Sequence, residues 1–160
     1  MKDLKELFSH SLRDMYWVEK KLNSELPKMS EKATNQELKT AFLDHQKDTE
    51  KQIARLEKIF QIMELEARAE KCEAMSGILE EGDELIEHAE NDEVRDAVLI
   101  AAGNKVEHYE ISTYGTMKNY AKKLGLNDAV TLLKESLDEE YAADDKIQKL
   151  AVQGINQEAV

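Results

Sequence analysis

The sequence predicts an all-α chain: a four-helix bundle with a short extra helix in the connection between its second and third long helices. Three observations carry this. The 160 residues include only 6 Gly and 1 Pro, where average usage of roughly 7% and 5% would give about 19 together. A chain so poor in turn formers has few turns, which excludes a β-sandwich or barrel. Apolar residues recur at helical spacing over four long segments. The first and third connections between these segments are short and the second is long.

The first helix is expected from about Asp3 to about Lys32, with Leu4, Phe8, Met15, Val18, Leu22, Leu26 and Met29 on one stripe. Pro27 lies off that stripe, so it should bend the helix rather than end it. Thr34-Asn-Gln-Glu37 reads as a capping box. It opens a second helix, with Leu38, Phe42, Ile53, Leu56, Phe60 and Met63 on its stripe, that runs to about Glu66. Residues 65–91 are less regular. Met75, Ile78, Leu79, Leu85 and Ile86 among acids predict a short helix there. Asn91 and Asp92 offer an N-cap for a third long helix, about Glu93 to Leu124. Gly125 stops it and Asn127 caps anew. The fourth long helix runs from about Asp128 to Ala151, and the tail, about 152–160, is expected to fray.

Residues 1–160 thus form one domain, long enough to bury a core. Short connections force helices one and two, and three and four, into antiparallel hairpins. Two hairpins joined by one crossover is the layout of ferritin-like bundles.

Charge narrows the partners. Lys plus Arg number 22 and Asp plus Glu 34, for a formal charge of −12. That excess speaks against nucleic acid, which needs a basic face. No apolar run approaches the 18 or so residues of a membrane span, and the first residues do not read as a secretory signal. Cys72, the single cysteine, closes no internal disulfide, so a reduced, cytoplasmic setting is expected.

The informative residues are the polar ones on apolar stripes. Glu140 sits at the centre of the helix-four stripe, with Asp144 one turn on. Glu110 lies on the helix-three stripe, with Glu107 at its margin. Glu19 falls between Met15 and Leu22 on helix one. An unpaired carboxylate in a core costs several kcal/mol, so it protonates, pairs or takes a metal. A charge at a stripe edge is commonly a solvated face, and for Glu19 and Glu107 that reading stands beside the functional one. No Lys or Arg falls on the inward stripe near Glu110, Glu140 and Asp144.

Level matters as well as face. Counted from Gly125, Glu110 and Glu107 lie 15 and 18 residues before the turn, and Glu140 and Asp144 lie 15 and 19 after it. Counted from Thr34, Glu19 lies 15 before, while His45, Thr49 and Gln52 lie 11, 15 and 18 after. One layer therefore collects carboxylates from three helices and neutral polar groups from the fourth. Oxygen ligands without cysteine suit Fe, Mn, Mg or Ca more than Zn. His108, Tyr109 and Tyr114 read as surface or packing residues. Trp17, with Tyr16 beside it, points off the helix-one stripe and reads as an interface residue.

The strings LRDMYWVEKKL (12–22), KCEAMSGILEEG (71–82), EVRDAVLIAAGNKVEHYEISTYG (93–115) and LLKESLDEEYAADDKI (132–147) resemble the YciE/YciF family of bacterial stress proteins, which is related to rubrerythrins. The resemblance covers almost the whole chain. It implies a ferritin-like bundle, a homodimer and bound metal, iron first. It settles no reaction, because the family's own activity is poorly defined. By this resemblance Glu19 matches the helix-one ligand, and Glu107 with Glu110 matches the pair on helix three. Glu140 with Asp144 matches the pair on helix four, Asp standing where His is usual. Helix two departs: Thr49-x-x-Gln52 stands where Glu-x-x-His is expected, and His45-x-x-Asp48 lies one turn earlier in the opposite order. His45, Asp48, Thr49 and Gln52 are therefore second-tier candidates.

Two functions stay open. One is a carboxylate-rich, di-iron centre that oxidises ferrous iron or consumes peroxide, an oxidoreductase of ferroxidase or peroxidase type. The other is a non-enzymatic dimeric stress protein with structural metal ions or none. Thr49 and Gln52 favour the second, because they remove two ligands that a redox site would use.

Overall fold

A computed structural model describes residues 1–160. Five helices carry the fold: α1 Leu4–Lys32, α2 Gln36–Ile62, α3 Glu73–His88, α4 Asp92–Lys123 and α5 Asn127–Leu150. α1 packs on α2, α2 on α5, α5 on α4 and α4 on α1, so the four long helices close a ring. α3, the expected crossover helix, lies against α4. The fold is the helical bundle that the sequence predicts, and no helix is long and apolar enough to cross a membrane.

Local chemistry writes most helix ends. Asp3 caps α1 by accepting from the Glu6 N–H at 2.8 Å, and Asn91 caps α4 by accepting from Val94 at 2.8 Å. Both replace an acceptor that the first turn lacks. α1 runs through Pro27. α2 corrects the capping box. Asn35, not Thr34, is the cap, accepting from Glu37 and Leu38 at 2.9 and 3.1 Å. The N–H groups of Thr34 and Asn35 instead donate, each at 2.7 Å, to the buried carboxylate of Asp96 on α4. One side chain thus ties the α1–α2 turn to the start of α4.

α2 ends at Ile62, short of the expected Glu66. Glu64 takes a left-handed φ of 57°, and Leu65 N–H closes back on Phe60 O at 2.9 Å. α4 closes the same way with Gly125, at φ 73°, and Leu126 N–H on Ala121 O at 3.0 Å. Glycine is the usual residue there because it has no Cβ to clash. The cap position of α5 is Leu126, with no side-chain bond, so Asn127 begins the helix rather than capping it. The tail, expected to fray, continues as a π-helical turn, Ala151–Ile155, and a last turn, α6 Asn156–Glu158. Ile155 is buried beside Thr34, Asn35 and Asp96.

Apolar layers fill the bundle above and below one polar layer. Phe42, Leu99 and Ile147 lie toward the Asp96 end, while Leu12, Leu56, Met117 and Leu133 lie toward the other. At Gly103 a Cβ would stand 3.1 Å from Ile147 Cδ1 and 3.4 Å from Phe42 Cε1. Bare backbone there lets α4 close one turn from Glu107. Tyr16 departs from the outward reading: it is buried, edge-on to Phe60 at 5.5 Å, and its hydroxyl donates to Glu57 at 2.9 Å. Trp17 is half-buried against the core.

Candidate metal centre

Each long helix turns polar groups into one layer. α1 supplies Glu19, α2 supplies His45, Thr49 and Gln52, α4 supplies Glu107, Glu110 and Tyr114, and α5 supplies Glu140. All eight are buried, with Glu19, Glu110, Glu140, Thr49, Gln52 and Tyr114 at 0% exposure. Steps of three or four residues keep each helix's contributors on one face. No Lys or Arg is buried in this chain.

The groups converge. His45 Nδ1 lies 2.7 Å from Glu107 Oε1. His45 Nε2 lies 3.5 Å from Glu140 Oε2 and 3.7 Å from Glu110 Oε2. One ligand atom from each of His45, Glu107, Glu110 and Glu140 falls within 4.8 Å of all the others. Glu19 joins from α1, its Oε1 accepting from the Tyr114 hydroxyl. The Gln52 amide donates to Glu140 Oε1.

Burial is the main force on the carboxyls. It pushes Glu19, Glu107 and Glu140 each up to about 8, from an ordinary value of 4.5. Glu110 is likewise raised well above its ordinary value, by burial and then by the neighbouring charges of Glu140, Glu19 and Glu107. Tyr114 is raised as well, by burial and the charge of Glu19. Four acids that resist ionising together need protons or a cation. Donors do not complete the set: Glu19 Oε2, His45 Nε2, Thr49 Oγ1, Gln52 Oε1, Glu107 Oε2, Glu140 Oε2 and both oxygens of Glu110 are sealed from solvent with no hydrogen-bond partner. So many orphaned acceptors in one place fit a cation.

Among the residues singled out from sequence, Glu19, Glu107, Glu110 and Glu140 come together. Asp144 stands outside this group. Its carboxylate is 19% exposed and lies 3.2 Å from His108 Nε2. Asp48 faces outward and pairs with Lys51 at 2.7 Å. His45 has the inward place on α2, beside Thr49 and Gln52. Tyr114 was the residue missed. It lies four residues beyond Glu110 and seven beyond Glu107, a same-face spacing that could have found it.

Comparison with known proteins gives the family and the shared fold. Residues 3–160 match a family described as a domain of unknown function, DUF892. Protein YciF of Escherichia coli K12 is 44% identical over 160 residues, covering 99% of this chain and 96% of that one. The crystal structure of the E. coli stress protein YciF superposes with a TM-score of 0.92, covering 98% and 99% of the two chains. YcfI of Rhodopseudomonas palustris, provisionally described as a structural protein, gives 0.90 at 37% identity over 92% and 94% of the chains. A protein of Xanthomonas campestris, 18% identical with a TM-score of 0.75, shares the fold. With a match over nearly its full length, this chain belongs to the DUF892 family, together with the stress protein YciF.

Proposed function

We propose that this protein is a ferritin-like stress protein whose bundle holds divalent metal, iron first, at His45, Glu107, Glu110, Glu140 and Glu19. The observation that carries the reading is the convergence of four buried carboxylates and one imidazole, with unpartnered ligand atoms and no buried cationic side chain. Manganese, magnesium and calcium fit the same hard oxygen donors. Bound iron would supply the one-electron chemistry that ferrous oxidation or peroxide consumption needs. The chain's own groups would bind and orient the ions, exclude water, and hold protons on the carboxyls until a cation displaces them. A homodimer in a cytoplasmic setting belongs to the same proposal, with the half-exposed Trp17 near the contact.

A second reading has its own support. Thr49 and Gln52 occupy the layer with neutral groups, and YcfI is described as structural. On that reading the carboxyls share protons, or hold an ion with no turnover.

Metal analysis of protein purified without chelator, followed by an optical assay of ferrous oxidation, tests both. Bound metal that is lost in both Glu110→Ala and Glu140→Ala supports the centre. Ferrous oxidation by the parent alone supports the oxidoreductase. Unchanged metal content in both variants would sink the assignment, and bound metal without oxidation would favour the structural reading. Light scattering decides the dimer.

A further inference from the structure

The buried layer does not use every ligand-bearing group in the chain. His10 and Asp14 stand four residues apart on α1, so their side chains leave the same outer face of the helix. Glu70 reaches them from the crossover between α2 and α3. His10 Nε2 lies 3.4 Å from Asp14 Oδ2, and its Nδ1 lies 3.6 Å from Glu70 Oε2. One nitrogen of His10 and one oxygen of each acid all fall within 4.8 Å of one another. The His10 side chain is 46% exposed, so its ring can turn either nitrogen forward.

Neither distance makes a good hydrogen bond, which closes to about 2.7–3.2 Å. They are instead close to the spacing of two ligands on one ion, since atoms bound at about 2.0–2.1 Å in a tetrahedron stand roughly 3.3–3.4 Å apart. The charges are unbalanced as they stand. Burial lifts the Asp14 carboxyl above its ordinary value, His10 draws it down, and the charge of Glu70 lifts it again. Arg13 relieves only part of this: its Nη1 lies 3.5 Å from Glu70 Oε1 and leaves Oε2 turned to His10. An open hollow lined by Asp3, Ser9, His10 and Arg13 adjoins the group and admits water to a fourth position. One imidazole, two carboxylates and a water are a donor set for zinc.

We propose that His10, Asp14 and Glu70 form a surface zinc site, separate from the buried layer, that fastens the α2–α3 crossover to α1. Residues 66–71 have one backbone–backbone hydrogen bond, from Glu70 N–H to Arg13 O at 3.2 Å. Two residues on, the crossover ends at Cys72, whose thiol meets the Tyr109 hydroxyl on α4 at 3.0 Å. Two ligands come from one helix and the third from the crossover, so the ion is fully held only while the crossover lies down on α1. This proposal does not depend on metal in the bundle interior.

Zinc(II) is the probe, titrated into full-length, metal-stripped protein and followed by nuclear magnetic resonance of the histidine rings. His10 and His45 give separate signals, so binding outside and inside the bundle are read apart. The His10 signals are expected to shift and saturate, and trypsin cleavage after Arg68, which is exposed in the crossover, should slow. Glu70→Gln keeps the shape of the side chain and removes its charge. Even the outer partners of metal ligands matter 10–100-fold in affinity, so this loss of a ligand should weaken zinc at His10 at least about 10-fold. It should also abolish the protection of Arg68, with circular dichroism and the His45 response unchanged. Asp14→Asn should weaken zinc in the same way. His10 signals that stay still under a large excess of zinc would overturn the site. An undiminished His10 shift in Glu70→Gln would confine the ion to α1 and overturn the fastening, as would zinc protection of Arg68 that persists in His10→Ala.

Discussion

His45 on α2 and Glu107 on α4 meet across the inside of the bundle, Nδ1 to Oε1 at 2.7 Å, with side chains only 3% and 2% exposed. Once a cation had displaced the proton of Glu107, Nδ1 would carry the hydrogen and Nε2 would turn its lone pair toward Glu110 and Glu140. This is how carboxylates commonly orient a metal-binding imidazole. His45→Leu would remove a proposed ligand and the partner of Glu107 together. Metal affinity should fall at least about 10-fold, while the helical content of the metal-free protein is kept. Isothermal titration beside circular dichroism checks this, and parent-like affinity would exclude His45 from the centre.

The buried acids predict an unusual pH dependence. Glu19, Glu107 and Glu140 have folded values near 8 against 4.5 when free. Between these values the native chain holds more protons than the unfolded one. Their contribution is therefore fully present below about pH 4.5, is lost as pH rises to about 8, and is flat above that. Asp44, held low by Lys146 and Lys47, acts only below this window. The metal-free protein should melt at a higher temperature at pH 5.5 than at pH 8. Saturating divalent cation should remove that difference, because it replaces the protons. A metal-free Tm that rises toward pH 8 would show the acids to be ionised and paired.

Asp96 accepts two backbone N–H groups from the α1–α2 turn while buried. Hydrogen bonds to a charged acceptor contribute about 1.5–3 kcal/mol each, and not additively. Asp96→Ala should cost about 3 kcal/mol in urea unfolding. Asp96→Asn should fall between, since its amide keeps one acceptor oxygen. A loss below about 0.5 kcal/mol would show that water replaces the carboxylate.

Glu64 stands in a left-handed conformation on the surface. A side chain there costs roughly 1–2 kcal/mol, partly offset by the extra freedom glycine has when unfolded. Glu64→Gly should stabilise the protein by about 0.5–1 kcal/mol with no change in metal content. Destabilisation in thermal melts would show that Glu64 makes a contact worth more than the strain.

Long helices, the crossover helix and the inward carboxylates were legible because each rests on spacing within one segment. The caps at Asp3 and Asn91 were legible for the same reason. Thr34 and Asn35 are both good cap residues, and what decides between them is Asp96, some 60 residues away. His45 stands in the second tier because helix two departs from the Glu-x-x-His pattern of the resemblance, and the same contact shows what turn counting cannot. Counting from hairpin turns places Thr49, not His45, level with Glu19. Counting from the Thr34–Asp96 contact places His45 and Glu107 each 11 residues down their helices. Register between the two hairpins is a tertiary quantity, and no single helix encodes it. Asp144 lies on the expected helix but one turn too far along, where its carboxylate reaches His108 and solvent. Tyr114 reads as packing in the sequence because an aromatic ring among apolar residues hides where its hydroxyl points.

Burial also sets a clock. The five acidic and imidazole groups of the centre are at most 4% exposed, so an ion bound there as proposed would reach them only when helices part. Exchange then follows the opening of the bundle, not the strength of the competing chelator. Stripping by excess chelator should proceed at one limiting rate, whatever its concentration, and that rate should rise in variants that loosen the bundle, Asp96→Ala first. A protein with this kinetics would carry its metal as a long-lived fitting rather than as a freely traded one.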